Sequence, residues 1–274
     1  AGKRTVMIFC IDIGNTNIKY AVFDGERLLA SFRVSSLRNA TSDEYGVVVR
    51  DLLKAAEIDK EEIEGVIMSS VIPSLNYTIE HMCRDYLGHK PLVVGPGLKT
   101  GLNVKTENSR EVGSDIIVDC VSALSRYGEG TPLICIDFGT ATTFDVVSAK
   151  GELIGVVIAP GIRGALDSLV SGTAKLPSIE LEKPPSVMGK NTVTCMQSGI
   201  VYGFVGLVEN IVAGIKKELG EENVKVVATG GVGSIICKEA KCIDVFDRML
   251  TLNGLRIIYG MNQTEKTEKS CLKK

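Results

Sequence analysis

Short apolar runs separated by glycine-bearing turns organise this chain, and the same plan is written twice. Residues 6–11 and 18–23 are apolar runs flanking Asp12-Ile13-Gly14-Asn15-Thr16, and Asp24-Gly25 then leads into a third run at 27–34. Asp-Gly between two β-rich runs is a strong hairpin signal. Further on, residues 133–136 and 143–147 flank Asp137-Phe138-Gly139-Thr140-Ala141-Thr142, and Lys150-Gly151 leads into 152–159. Each half is therefore expected to open with three strands in an antiparallel meander.

After each meander the period of the apolar positions changes. Residues 43–56 carry Val47, Val48, Leu52 and Leu53 at helical spacing, 66–71 reads as a buried strand, and 74–87 reads as a helix with Ser74 as its cap. A strand at 91–94 and a helix at 112–127 complete the first half. The second half predicts helix at 164–170, a long helix at 192–219, strands at 224–229 and 243–246, and a last helix at 251–261. Segments 95–111 and 172–191 read as Gly/Pro/Lys-rich loops. The order β-β-β-α-β-α-β, given twice, predicts an α/β protein of two similar lobes, 7–128 and 129–262, whose equivalent strand tips lie across a shared cleft. A single mixed sheet with two coincidentally similar hairpins is the competing reading. Residues 263–274 are polar and read as a disordered tail. The segment before Met7 is set aside as a leader.

Composition narrows the function classes. The chain has 274 residues, is 45% hydrophobic, and carries 31 Lys+Arg against 33 Asp+Glu for a net charge of −2. Basic residues cluster only near the C-terminal end, so nucleic acid is not expected as a partner. No apolar run approaches the roughly 20 residues that span a bilayer, and no signal peptide is read, so no membrane partner is expected. The eight cysteines lie mostly in apolar runs without CxxC spacing, which suits reduced thiols in a cytoplasmic protein.

The two turns suggest chemistry. Gly14 allows a phosphate to approach the backbone, Asn15 and Thr16 add donors, and successive turn N–H groups can form an anion nest. Asp12 would meet phosphate through Mg²⁺, and Lys19 lies within reach. Either turn taken singly reads as an ordinary hairpin; the second copy favours a phosphate site. Thr140, Thr142 and Thr143 beside Asp137 offer hard oxygen donors for a cation. Thr229-Gly230-Gly231-Val232-Gly233, at a strand-to-helix turn, lets a flat ligand such as adenosine lie on the backbone, although a tight turn explains it equally well. His81 and His89 are assigned no role, and Asp145 reads as a surface or capping carboxylate.

In this order the three motifs resemble the two phosphate segments and the adenosine segment of the acetate/sugar kinase, Hsp70 and actin superfamily, which implies two ribonuclease H-like, actin-like lobes. The resemblance then narrows. Residues 12–19, Gly113-Ser114-Asp115, 137–145, Pro160-Gly161, 173–177, Gly189-Lys190-Asn191-Thr192 and 197–203 are similar to segments of type III pantothenate kinases, from about Met7 to Asn262. That family phosphorylates pantothenate with ATP, the first step toward coenzyme A. The resemblance implies that Asp12, Gly14, Asn15, Thr16 and Lys19 hold the ATP phosphates, that Thr140, Gly230 and Gly231 add ATP contacts, and that Asp115 accepts the proton of the substrate hydroxyl. It also implies that Gly113, Ser114, Ile116 and Thr192 contact pantothenate, that Asp137 binds a monovalent cation (K⁺ or NH₄⁺), and that the protein is a homodimer. Gly199, Ile200, Gly203, Phe204, Leu207 and Ile211 lie at helical spacing and suit either such an interface or the lobe's own core.

Two positions depart from the family pattern. Ile116 stands where the family usually has arginine, and Thr106 where it usually has tyrosine. Arginine grips a carboxylate with a charged fork that isoleucine lacks, and Lys105 and Arg110 are the cations nearby in sequence. These changes open an alternative: a non-catalytic or altered-acceptor relative, such as a nucleotide-binding regulator resembling the Bvg accessory factor.

Overall fold

The structure, a computed structural model, describes residues 6–271, with backbone alone from 264 onward. It divides into two compact units. The first comprises the described residues up to Gly101, Arg110–Ser122 and those from Leu250 on; the second comprises Leu102–Ser109 and Ala123–Met249.

In the first unit, β1 (Met7–Ile13), β2 (Asn17–Asp24) and β3 (Arg27–Ser35) form the expected meander. β4 (Ile63–Ser70) joins β1 in parallel and β5 (Leu92–Val93) joins β4, giving the order β3-β2-β1-β4-β5. β1 is central and buried along almost its whole length, because helices cover both faces of the sheet and neither alternate set of side chains meets water. Phe9, Ile11, Ile13, Val66 and Met68 form one core with Tyr45, Val49 and Leu53 of α1 (Ser42–Ala55) and Leu75, Ile79 and Met82 of α2 (Pro73–Leu87). On the opposite face Gly65 leaves room for the Tyr259 ring of α7 (Leu250–Cys271): a Cβ there would lie 1.8 Å from the phenol oxygen. Thr41 and Glu44 form a reciprocal capping box at the start of α1. α2 starts at Pro73 rather than on a Ser74 cap; proline suits a first helical position, where its missing N–H is not needed.

The second unit repeats the topology. β7 (Leu133–Phe138), β8 (Ala141–Val147) and β9 (Glu152–Pro160) form the meander, with β10 (Lys225–Thr229) and β11 (Val245–Phe246) parallel beside β7. Its order, β11-β10-β7-β8-β9-β6, is the first sheet's order with one added edge strand, β6 (Asn103–Val104), parallel to β9. Register confirms the repeat. Asp12 pairs with Lys19 and Ser69 in the first sheet, and Asp137 with Thr143 and Thr229 in the second. The single mixed sheet is thereby excluded, and each unit is an α/β lobe of ribonuclease H-like topology.

Three expectations change. The units are not contiguous about residue 128: α7 groups with the first sheet, residues 102–109 with the second, and α3 (Ser114–Tyr127) changes unit between Ser122 and Ala123. Packing against a sheet, not position in the chain, decides membership. The tail expected to be disordered is helical as far as Cys271, since Gln, Glu and Lys are good helix formers and α7 can simply continue through them; residues 272–274 and the leader residues 1–5 lie outside the described residues. Finally, α5 (Thr192–Leu219) is long and apolar enough to cross a membrane by length and composition. Its Met196, Ile200, Val201, Phe204, Val208, Val212 and Ile215 instead fill the second unit's core with α4 (Ile162–Ser171) and the sheet.

Candidate active site

The first turn is built by β1 running straight back into β2. Asp12 is 6% exposed, and Lys19, directly across the ladder, places Nζ 3.1 Å from its Oδ2. Gly14 donates its N–H to the Asn17 carbonyl at 3.0 Å, so that amide serves the turn itself. A Cβ on Gly14 would lie 3.1 Å from the same carbonyl. The segment after β3 braces the tip: the Ser36 hydroxyl donates to the Gly14 carbonyl at 2.6 Å, its N–H donates to the Thr16 carbonyl at 3.1 Å, and Arg38 donates to Asn15 Oδ1 at 3.3 Å. Asn15 and Thr16 remain exposed at the apex. Ser36 and Arg38 escaped the sequence reading, because a contact across more than twenty residues leaves no periodic or motif signal.

Asp115 sits in the first turn of α3, in the same unit. Its Oδ1 accepts the Ile116 N–H at 2.9 Å. Gly113 is required by this arrangement, since a Cβ there would lie 2.3 Å from that same oxygen. Burial pushes the Asp115 carboxyl above its ordinary range; the Ile116 amide pulls it back, the Asp12 carboxylate pushes it up again, and Lys19 lowers it. Asp12, Lys19 and Asp115 thus share one electrostatic neighbourhood, which the sequence placed on two separate motifs. A half-buried carboxylate with a raised proton affinity, near a cation, is suited to receive a proton from a hydroxyl. Ser114 turns its hydroxyl into the end of β4, where it meets the Ser69 hydroxyl at 2.9 Å and the Ser70 carbonyl at 3.0 Å.

The second turn depends on three glycines. Asp137 is half-buried at the end of β7, and a Cβ on Gly139 would come within 2.9 Å of its Oδ2. A Cβ on Gly161 would meet the Thr140 and Gly139 carbonyls at 2.2 and 2.7 Å, and Thr142 Oγ1 donates to the Pro160 carbonyl at 3.0 Å. Pro160-Gly161 therefore docks the end of β9 onto the turn. Gly230, at φ +104°, lies against the Phe138 backbone, so the glycine motif after β10 clamps the turn from its other side. Thr140 and Gly231 are exposed beside this clamp. Asp145 is fully buried rather than a surface carboxylate, and accepts from Thr143 Oγ1 at 3.2 Å.

The remaining expected positions are also in the second unit. Gly189-Lys190-Asn191-Thr192 is a helix start: Asn191 Oδ1 accepts the Thr194 N–H at 2.9 Å, and Gly189 packs on the Cys195 backbone. Thr192 is exposed at the first position of α5. Thr106 Oγ1 is buried without a hydrogen-bond partner, and Lys105 pairs with Glu152 at 3.8 Å. His81 and His89 bond to the Tyr77 and Ile63 carbonyls, away from either turn in the chain.

The profile of type III pantothenate kinases matches residues 8–214. The chain is 50% identical over 256 residues to the type III pantothenate kinase of Moorella thermoacetica, covering 93% of this chain and 100% of that protein. It is 51% identical over 258 residues to that of Brevibacillus brevis, covering 94% and 100%. Among solved structures, a presumed 2-dehydro-3-deoxygalactonokinase from Sinorhizobium meliloti aligns with TM-score 0.61 at 8% identity, over 92% of this chain and 95% of that one. A conserved, presumed transcriptional activator of the Baf family from Campylobacter jejuni aligns with TM-score 0.58 at 16% identity, over 93% and 99%. These two show the fold alone. With a matching profile over most of its length and relatives at half identity end to end, the chain belongs to the type III pantothenate kinase family.

Proposed function

We propose that the protein is an ATP-dependent kinase that phosphorylates pantothenate to 4′-phosphopantothenate, the first step of coenzyme A biosynthesis. The observation that carries the chemistry is Asp115: a half-buried carboxylate of raised proton affinity in the field of Asp12 and Lys19. Phosphoryl transfer asks mainly for positioning and charge neutralisation. Asp115 orients the acceptor hydroxyl and takes its proton as the bond to phosphorus forms. Lys19 offsets negative charge at the Asp12 turn, where Gly14, Asn15 and Thr16 take the ATP phosphates. In the second unit Thr140, Gly230 and Gly231 take ATP contacts. Gly113, Ile116 and Thr192 are assigned to pantothenate, as is the backbone around Ser114.

The described residues hold no cluster of three or more His, Cys, Asp or Glu side chains able to bind a metal. That fits Mg²⁺, which uses one or two carboxylates and completes its shell with water and phosphate oxygens; Asp12 would supply the carboxylate. When bound, Mg²⁺ neutralises phosphate charge. Asp137, a hard oxygen donor at the second strand tip, is assigned a monovalent cation, K⁺ or NH₄⁺. ADP release should require pantothenate, ATP and Mg²⁺ together and rise when K⁺ replaces Li⁺, and Asp137→Asn should remove the K⁺ effect. Folded protein that fails to turn over saturating pantothenate would refute the activity.

Half-identity to pantothenate kinases over 93–94% of the chain disfavours the regulatory alternative despite Ile116 and Thr106. No disulfide forms among the described cysteines, in keeping with a cytoplasmic enzyme. We assign a homodimer as well. Ile200 and Phe204 belong to the unit's own core, whereas Gly199 and Gly203 are exposed with open space where a Cβ would stand, leaving one flank of α5 able to approach another helix closely. Light scattering should give twice the chain mass of 29.4 kDa; the single mass would exclude it.

A further inference from the structure

We propose that Ser114 is a positioning residue: its hydroxyl latches the first turn of α3 to the tip of β4 and so sets where Asp115 stands relative to Asp12. Ser114 opens α3, yet the bonds of its hydroxyl lead away from that helix. Its hydrogen bonds run instead to a strand more than forty positions earlier in the chain. Oγ donates to the Ser70 carbonyl at 3.0 Å and accepts the Ser70 N–H at 3.2 Å. It also stands 2.9 Å from Ser69 Oγ. A hydroxyl has one proton and two acceptor sites. With its proton on the Ser70 carbonyl, Ser114 accepts from both the Ser70 amide and the Ser69 hydroxyl, and its capacity is full.

The strand at the other end of the latch is itself tied to the Asp12 turn. Ser69 is fully buried and lies across the ladder from Asp12, and Ser70 lies across from Ile13. The Val71 N–H donates to the Ile13 carbonyl at 3.1 Å, and the Ser70 hydroxyl accepts the Ile72 N–H at 3.1 Å. The β4 tip is thereby held on both sides. One residue beyond Ser114, Asp115 inherits this placement, and Gly113 behind it leaves its carboxylate room to turn back. The hydroxyl joins α3 to β4, and the β1–β4 ladder carries that link on to the Asp12 turn. A hydroxyl engaged in this way has no remaining bond to offer a substrate, so Ser114 acts through Asp115 and not by touching the acceptor.

This inference rests on the proposed activity for its kinetic arm only. Ser114→Ala should lower kcat about 10- to 100-fold, the cost of a misplacement near 1 Å, with little change in the KM for ATP. Ser114→Thr, which keeps the hydroxyl, should restore most of the rate. Ser69→Ala removes one of the three bonds and should give a smaller loss in the same direction. Independently of turnover, amide hydrogen exchange at Ile116 and Ile117 should accelerate about tenfold in Ser114→Ala while exchange in β7 stays unchanged. Unaltered kcat and exchange in folded Ser114→Ala would overturn the latch, as would a threonine variant no better than alanine. A raised KM for pantothenate at constant kcat would also overturn it, by making Ser114 a substrate contact. Should the alanine variant not fold, Ser69→Ala decides by the same two readouts. If wild-type protein shows no pantothenate-dependent turnover, the proposed activity fails and the exchange arm still judges the latch.

Discussion

Asp115→Asn will reduce kcat by about two to four orders of magnitude, the usual worth of a positioned general base, while the protein still folds and binds ATP. Asparagine is close to isosteric and can still accept the Ile116 N–H that holds the side chain in place. It cannot take a proton from the acceptor hydroxyl. The variant also removes a negative charge from beside Asp12, so nucleotide affinity should hold or improve. The pH profile of the wild type provides a second check. Burial and Asp12 raise the proton affinity of Asp115 above the ordinary carboxylate value of 3.8. The active form is the carboxylate, so the rate should fall as pH drops through that raised value, and the acidic limb should lie above 3.8. The asparagine variant should lose that limb. Steady-state kinetics from neutral to acidic pH checks both statements; a variant retaining wild-type kcat removes Asp115 from the proton-transfer role.

Gly230→Ala will destabilise the second unit and impair ATP binding together. Gly230 adopts φ +104°, where an L side chain is strained, and a Cβ there would lie 2.5 Å from the Phe138 carbonyl oxygen and 2.6 Å from its nitrogen. Backbone cannot move aside as a side-chain tip can. Strain of about 1–3 kcal/mol adds to overpacking of about 1–3 kcal/mol, so a loss of about 2–6 kcal/mol is expected in denaturant titration. Phe138 precedes Gly139 and Thr140, so relief of the clash would displace the turn assigned to ATP. Gly214→Ala, on α5 with open space around its position, is the control and should be neutral or stabilising by up to about 1 kcal/mol. Equal stability for both variants would mean that Gly230 serves only as a turn.

The strand and helix plan was legible because each element announces itself locally. Alternation and apolar runs marked the strands, the shift to helical spacing marked the helices, and Gly25 and Gly151 marked the hairpins. The duplication was legible because the two halves repeat one order of elements with matching turns. Ser74 was misread because a serine near a helix start satisfies the capping pattern as well as Thr41 does, and only the position of Pro73 settles the first turn. The tail was misread because polarity signals solvent exposure, which a continuing helix and a disordered chain share.

What the residues alone determined is the repeated α/β topology and the pair of Asp-Gly turns, since each rests on local pattern; Asp115 enters as candidate base through the resemblance of its motif. Tertiary structure alone decided how those pieces are held. Ser36 and Arg38 brace the first turn, Gly161 and Gly230 clamp the second, Ser114 ties α3 to β4, and α7 belongs to the first sheet. The reason is physical. Dihedral preference and apolar period act between near neighbours and are written in the order of residues. A hydroxyl filling its bonds on a distant strand, or a missing Cβ that admits a distant backbone, has no meaning until the chain has brought the two together.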